Sequence, residues 1–362
     1  MSQVPSAQRT NVAARQSYTV KVGNLHTDEA MIVRLWHDGG LGPSHDAGHA
    51  AARYRWFYQR NPQGLARVNL LWSDAEAEPV GSLALGARHL MVDGQLVAGG
   101  VLVDFVVVPK HRSALPALTL QRRSREQALH FMSLIYGLPD TKAVAVCKRL
   151  PTNVELPLQR WVRVVRSRAY LDRMLPPVLA AGLAAFTDGL DGVGMRLQLL
   201  LSRISGEWVD AFDESFDDLW ARLPKRKACI GIRDRAFLQW RFFDKPSSKP
   251  LIFAVRDRRS SELRMYFVCE LHDNFLAVKD CLNAGTEREL KHGLLMLAAA
   301  ARKRGASAIS IEVTGGEAIR RALRRAQYVR RSERPFFAVF NESTAAKAAG
   351  CEWFITQADE DV

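Results

Sequence analysis

The segment at residues 101–125, VLVDFVVVPKHRSALPALTLQRRSR, leaves few folds open to this chain. Residues 101–108 form an apolar, β-branched run broken only by Asp104 and closed by Pro109, which removes a ladder donor and ends the strand. Residues 114–131 then follow a helical pattern, with Pro116 in the first turn, where a missing N–H costs little. Between them lies the short basic loop His111-Arg112-Ser113. A strand that hands its C-terminal end to such a loop, and then to a helix N-terminus, presents backbone donors to an anion. The segment therefore predicts an α/β fold with an anion site at the strand's end.

At 362 residues the chain is too long for one ordinary core and predicts two domains. Its 48% apolar and 25% charged residues exclude a disordered protein. An excess of 51 basic over 38 acidic side chains gives +13, which points to a polyanionic partner: a nucleotide cofactor, tRNA, an anionic lipid or an acidic glycan. The N-terminal residues lack the apolar centre of a signal peptide and read as a flexible leader, 1–17, on a cytoplasmic protein. No stretch reaches the roughly 18 apolar residues of a membrane span, so no transmembrane segment is expected. Residues 175–186 come nearest and read as a short buried linker helix, with shallow membrane contact as the alternative. Cys147, Cys229, Cys269, Cys281 and Cys351 are odd in number and lack C-x-x-C spacing, which suits a reducing compartment and no metal. His45 and His49 share helical spacing, but Gly48 weakens a helix there and the segment reads as a polar loop.

The second half repeats the plan of the first. Trp240-Arg-Phe-Phe-Asp-Lys-Pro246 matches Trp56-Phe-Tyr-Gln-Arg-Asn-Pro62 as W-x-aromatic-x-x-x-P, 184 positions later. Apolar strands follow at 251–256, 264–270 and 275–282, the last carrying Asp280 as the counterpart of Asp104, and then a helix at 287–304. The expected organisation is a first domain at 18–165, a linker at 166–210, a second domain at 211–345 and a tail at 346–362.

The order of apolar strand, Asp, V-x-P, basic loop and helix resembles motif A of the GNAT acyltransferases. The family pattern Arg/Gln-x-x-Gly-x-Gly/Ala falls on Arg112 to Ala117, with Leu115 where the first glycine stands. The resemblance implies two GNAT-like domains of α/β (α+β) class, each a mixed twisted sheet flanked by helices. It also implies acetyl-CoA or another acyl-CoA held by Val106, Val107, Val108, His111, Arg112, Ser113, Ala114, Leu115 and Ala117. The thioester would lie between the splayed strands at 101–108 and 134–136. Asp104 is then the candidate base. Cys147 stands where many members place a catalytic tyrosine, and Tyr136 is a further donor near the thiol; Leu323 takes the tyrosine's place in the second copy. Each also has a plain packing reading.

The expected function is an acyl-CoA-dependent N-acyltransferase for a small amine, with an active first copy and a degenerate second. Tandem proteins of this kind resemble acetyltransferases of exopolysaccharide and exosortase loci. A Fem-type transferase drawing on aminoacyl-tRNA and a catalytically silent binding protein are the alternatives.

Overall fold

The computed structural model describes residues 17–41 and 47–360. The expected leader, Ser17 apart, and the His45-Asp46 pair lie outside the described residues. The first half contributes β1 (Tyr18–Val22), β2 (Arg67–Ser73), β3 (Gly81–Val92), β4 (Gln95–Val107), β5 (Leu134–Gly137) and β6 (Val154–Val164). The second contributes β7 (Ile204–Val209), β8 (Ala228–Gly231), β9 (Leu251–Asp257), β10 (Leu263–His272), β11 (Phe275–Asn283), β12 (Ala308–Thr314), β13 (Val329–Phe340) and β14 (Glu352–Thr356). The helices are α1 (Glu29–Asp38), α2 (Ala47–Tyr54), α3 (Ala114–Ala128), α4 (Thr141–Cys147), α5 (Arg168–Leu171) and α6 (Pro177–Leu199). They continue as α7 (Glu214–Arg222), α8 (Arg235–Leu238), α9 (Glu287–Lys303), α10 (Glu317–Arg325) and α11 (Glu342–Ala348).

One sheet runs through both halves in the order β1-β2-β3-β4-β5-β13-β6-β12-β11-β10-β9-β7, with β14 and β8 off this path. The order reads alike from either end, β1 answering β7, β4 answering β11 and β5 answering β12. At its centre the halves exchange strands. β13 pairs with β5 and β6, while β6 pairs with β12 and β13, so each half completes its sheet with a strand from the other. The first-half sheet thus extends past residue 165 in space, and the second half begins at β7, inside the stretch read as linker.

The repeated tryptophans meet at the junction. Each lies in a π-turn, Arg55–Gln59 or Gln239–Phe243, a geometry that frees backbone carbonyls from the ordinary ladder. The Trp56 indole N–H donates to the Trp240 carbonyl at 2.7 Å, and the Trp240 N–H returns the bond to Trp56 at 3.0 Å. Their rings stack at 5.1 Å. One apolar core holds both, together with Tyr136, Tyr266 and Trp353.

The C-terminal residues are built in. β14 pairs with β12 and β8, and the turn after it buries Asp359 between the halves. Asp359 accepts from Arg88 of β3 at 2.9 Å and from Arg233 at 2.5 Å, all three side chains being buried.

Residues 175–186 are neither short nor buried. They begin α6, a 23-residue helix that is long and apolar enough to cross a membrane by length and composition, and most of it is exposed. Asp188 and Asp191 interrupt its apolar run in sequence and hide its length.

Candidate active site

The central parallel pair of the first half is short. β4 and β5 pair only over Gly99–Leu134, Gly100–Ile135 and Val101–Tyr136, after which the strands part. A bulge opens them: Asp104 sits at φ +52, and the register against β3 slips between Ser82 and Ala84. Beyond Val101 the β5-facing edge of β4 has no strand partner, while its other edge stays paired to β3 as far as Val107. The gap is a cleft of about 630 Å³. Leu102, Asp104, Gln121, Arg125, Tyr136 and Cys147 line it from the first copy. Glu333, Arg334 and Phe337 of β13, with Glu360, wall it from the second half. Such a gap at the carboxyl ends of parallel strands is where open sheets bind ligands.

The loop after β4 leads into α3. Ser113 is the N-cap residue but its side chain caps nothing, so the first-turn N–H groups of Ala114 and Leu115 keep no helical partner. Arg112 does not reach outward from this loop: its Nε donates to the Val107 carbonyl at 2.9 Å and its second arm to the Gly39 carbonyl. Gly39 is needed for that approach, since a Cβ there would lie 1.8 Å from a Val106 methyl. His111 is buried, with Nδ1 3.1 Å from the Tyr18 hydroxyl and Nε2 3.2 Å from Glu76. His111 therefore pins the loop to the body through Tyr18 and Glu76. Ala117 likewise turns into the core, whereas Leu115 is exposed at the loop's rim.

Asp104 faces the cleft but is already held. Arg53 of α2 takes both carboxylate oxygens, at 3.0 and 3.1 Å, and the Tyr58 hydroxyl donates at 2.7 Å. The second copy repeats the grip more deeply: Asp280 accepts from Arg233 at 3.2 Å, Tyr266 at 2.8 Å and Thr356 at 2.6 Å, with no exposure. Tyr136 is also spent, its hydroxyl donating to the Asp359 carbonyl at 3.0 Å and accepting from Arg88 at 3.2 Å. Burial pushes the Tyr136 phenol up to about 12. Burial likewise pushes the Cys147 thiol up, with Arg125 opposing.

Two polar groups in the cleft lack partners among the described residues. Gln121 Oε1 and Arg125 Nε are buried in the cleft wall and make no hydrogen bond. Both lie on the face of α3 that also carries Ala117, Leu120 and Ala128. The four-residue spacing from Ala117 to Gln121 to Arg125 is the sequence signal for this shared face. The arginines of 320–325 do lie outward, but Arg320 and Arg324 pair with Glu317, and Arg321 and Arg325 with Glu287.

The corresponding helix start in the second copy is capped differently. The N-terminus of α9 carries a capping box, Thr286 accepting from the Glu289 N–H at 3.2 Å while the Glu289 carboxylate takes the Thr286 N–H at 2.7 Å. The box satisfies the N–H groups of Thr286 and Glu289, whose counterparts in α3 are Ser113 and Pro116. The gap between β11 and β12 is a smaller cavity of about 200 Å³, lined mainly by apolar side chains such as Phe267, Leu290, Leu323 and Trp353.

By sequence, no family model and no curated protein matches the chain. By structure, a GCN5-related N-acetyltransferase from Anabaena variabilis superposes with a TM-score of 0.60 at 11% identity, covering 90% of this chain and 73% of that one. A tandem GNAT protein from the clavulanic acid biosynthesis pathway superposes at 0.50 and 13% identity, over 90% of this chain and 98% of that one. The fold is a tandem GNAT fold. Saccharomyces cerevisiae N-myristoyltransferase with bound myristoyl-CoA is similar as well, at 0.53 and 12% identity over 93% and 84% of the two chains. In GNAT terms the α3 loop, the bulged β4 and the parting of β5 are all present in the first copy. Val106 and Val107 lie on the bulged strand and Val108 follows it, while β4 lines the cleft from Leu102 to Phe105. At these identities the likeness is one of fold, and the site's chemistry rests on its own residues.

Proposed function

We propose that the chain is an acyl-CoA-dependent N-acyltransferase whose first copy binds the thioester and whose second copy walls the acceptor cleft. The observation that carries this reading is the contrast between equivalent places in the two copies. The first copy has a cleft of about 630 Å³ where β4 and β5 part, whereas the equivalent gap in the second is a mainly apolar cavity of about 200 Å³. The open turn and loop suit a pyrophosphate. The unpaired edge of β4 from Leu102 onward suits the amides of a pantetheine arm. Buried Gln121 Oε1 and Arg125 Nε have capacity left for the same ligand.

In the reaction an amine nitrogen forms a bond to the acyl carbon, the carbon–sulfur bond breaks, and the thiolate takes up a proton as the nitrogen loses one. Arg125 stands beside Cys147 in the cleft wall and supplies positive charge near the departing sulfur. Asp104 enters as a positioning residue, because the Asp–Arg–Tyr grip recurs around Asp280 in the copy that has only the smaller, mainly apolar cavity. The carboxylates left to receive the amine proton are Glu333 and Glu360 on the second-half wall. Glu360 is paired with Arg334 and is buried, whereas Glu333 meets Arg330 at 3.5 Å and is more exposed, which makes Glu333 the more accessible of the two.

The acceptor in this reading is a small amine on a sugar or amino acid, the sugar being the choice that the exopolysaccharide-locus resemblance favours. The paired arginines of 320–325 offer no bare cationic cluster to tRNA. Five free cysteines fit a cytoplasmic, reducing compartment. Native mass spectrometry of the purified chain tests the core of the proposal. One coenzyme A species per chain supports it, and a chain that stays unliganded with added acetyl-CoA refutes it.

A further inference from the structure

We propose that α6 docks on an anionic membrane surface, lying in the interface with its outer face in the lipid. Its inner face is fixed to the protein. Ala180, Ala184 and Met195 are buried, Asp188 accepts the Ser167 N–H at 3.0 Å, and Asp191 is gripped by Arg163 at 2.7 Å and Arg302 at 2.8 Å. The outer face carries Leu179, Leu183, Phe186, Leu190, Val193 and Leu197, spaced four, three, four, three and four apart and between 42% and 65% exposed. A helix facing water ordinarily shows polar residues on that side. Met174 before the helix and Leu201 after it are 81% and 87% exposed, so the apolar strip outruns the helix at both ends.

Composition and charge identify what covers the strip. A Cβ at Gly182, Gly189 or Gly194 would meet nothing, yet these positions carry glycine, which weakens a helix in water and is common in lipid-embedded ones. Arg173, Arg196 and Arg203 are exposed at the ends and on the outer side. The acidic residues nearby are neutralised, Asp172 by Arg168 and Asp191 by two arginines, while Asp188 is turned to a backbone N–H. An apolar strip with a cationic rim fits a surface of acyl chains under anionic headgroups. The bonds of Asp188 and Asp191 hold the inner face against the body, so the helix lies on the bilayer and does not cross it. A second copy of the chain is the poorer occupant, since the strip is flanked by Gly182, Gly189 and Arg196 and offers no carboxylate to meet the partner's arginines.

Flotation of the full chain with vesicles tests this. The chain should rise with vesicles of phosphatidylcholine and phosphatidylglycerol, and less with phosphatidylcholine alone or at high salt. Leu183→Ser, Phe186→Ser and Leu190→Ser together should cut the bound fraction by at least about tenfold, because each large side chain withdrawn from water strengthens partition by that order. Arg173→Glu with Arg196→Glu and Arg203→Glu should lose only the preference for anionic vesicles. All six side chains are exposed, so melting temperatures should hold; if the triple serine variant melts early, Phe186→Ser alone carries the test. A wild-type chain that stays unbound overturns the proposal. So does a dimer by light scattering that the serine variant abolishes while vesicle binding is absent, for then a second copy covers the strip.

Discussion

Asp104 was conspicuous in the sequence because a carboxylate inside an apolar run needs a reason to be there, and the reason is the paired Arg53 and Tyr58. Neither partner could be read from sequence, since both sit some fifty positions away on an element whose packing is set by the core. Asp104→Asn should lower stability by about 2 to 4 kcal/mol, the cost of stripping one member from a mostly buried pair, read from urea midpoints. Acyl transfer in the folded fraction should stay within about tenfold of wild type. A loss of about 10²-fold or more at an unchanged midpoint would return Asp104 to the role of general base. Asp359 lies deeper and gives a dependence on pH. Burial alone would raise its carboxyl, but the Arg233 and Arg88 guanidinia more than offset that and hold it below the usual carboxylate range. A lowered folded pKa means that its contribution is complete above the unfolded value of about 3.9 and is lost as pH falls through the folded one. Asp359→Asn should therefore be much less stable than wild type at neutral pH, with the gap narrowing below about pH 4 in denaturant titrations. A gap that is constant from neutral to acid would contradict this ion-pair account.

At the scale of elements, the strands and the two copies were legible because alternation and the W-x-aromatic-x-x-x-P repeat are local signals. The exchange of β6 and β13 was not, because register between strands nearly two hundred positions apart leaves no local trace. The α6 helix was misjudged for a different reason: its two aspartates break the apolar run in sequence but turn inward in space. The repeat itself supplies a sharp test. Trp56→Phe and Trp240→Phe should each cost about 1 to 3 kcal/mol, because each leaves a buried π-turn carbonyl without its donor. Since the rings also stack, a double-mutant cycle by chemical denaturation should show a coupling of at least about 0.5 kcal/mol. Simple additivity would mean that the two copies do not meet through this pair.

Over the whole molecule, two copies of one plan share a sheet and a core but differ in the gap beside their central strands, about 630 Å³ in the first and about 200 Å³ in the second. At the helix starts, the Ser113 side chain makes no cap bond in the first copy, while Thr286 and Glu289 form a capping box in the second. The sequence showed the basic loop and the helix start in the first copy, and the missing glycine at Leu115 made it look damaged. What it could not show is that Arg112 braces the loop against Val107 and Gly39, so that the proposed ligand donors are the first-turn N–H groups of α3. The central claim is that the first copy alone holds acyl-CoA through those backbone donors, and calorimetric titration of coenzyme A into the wild-type chain and Ala114→Pro tests it most directly. Proline is tolerated at the first helical position, and the extended Ser113 before it, at φ −141 and ψ 174, already suits a following proline. The account predicts one site per chain in the wild type and binding weaker by about 1.5 to 3 kcal/mol in the variant, the range for a hydrogen bond to a charged group, at an unchanged melting temperature. Two sites per chain, or an affinity that Ala114→Pro leaves untouched, would contradict it.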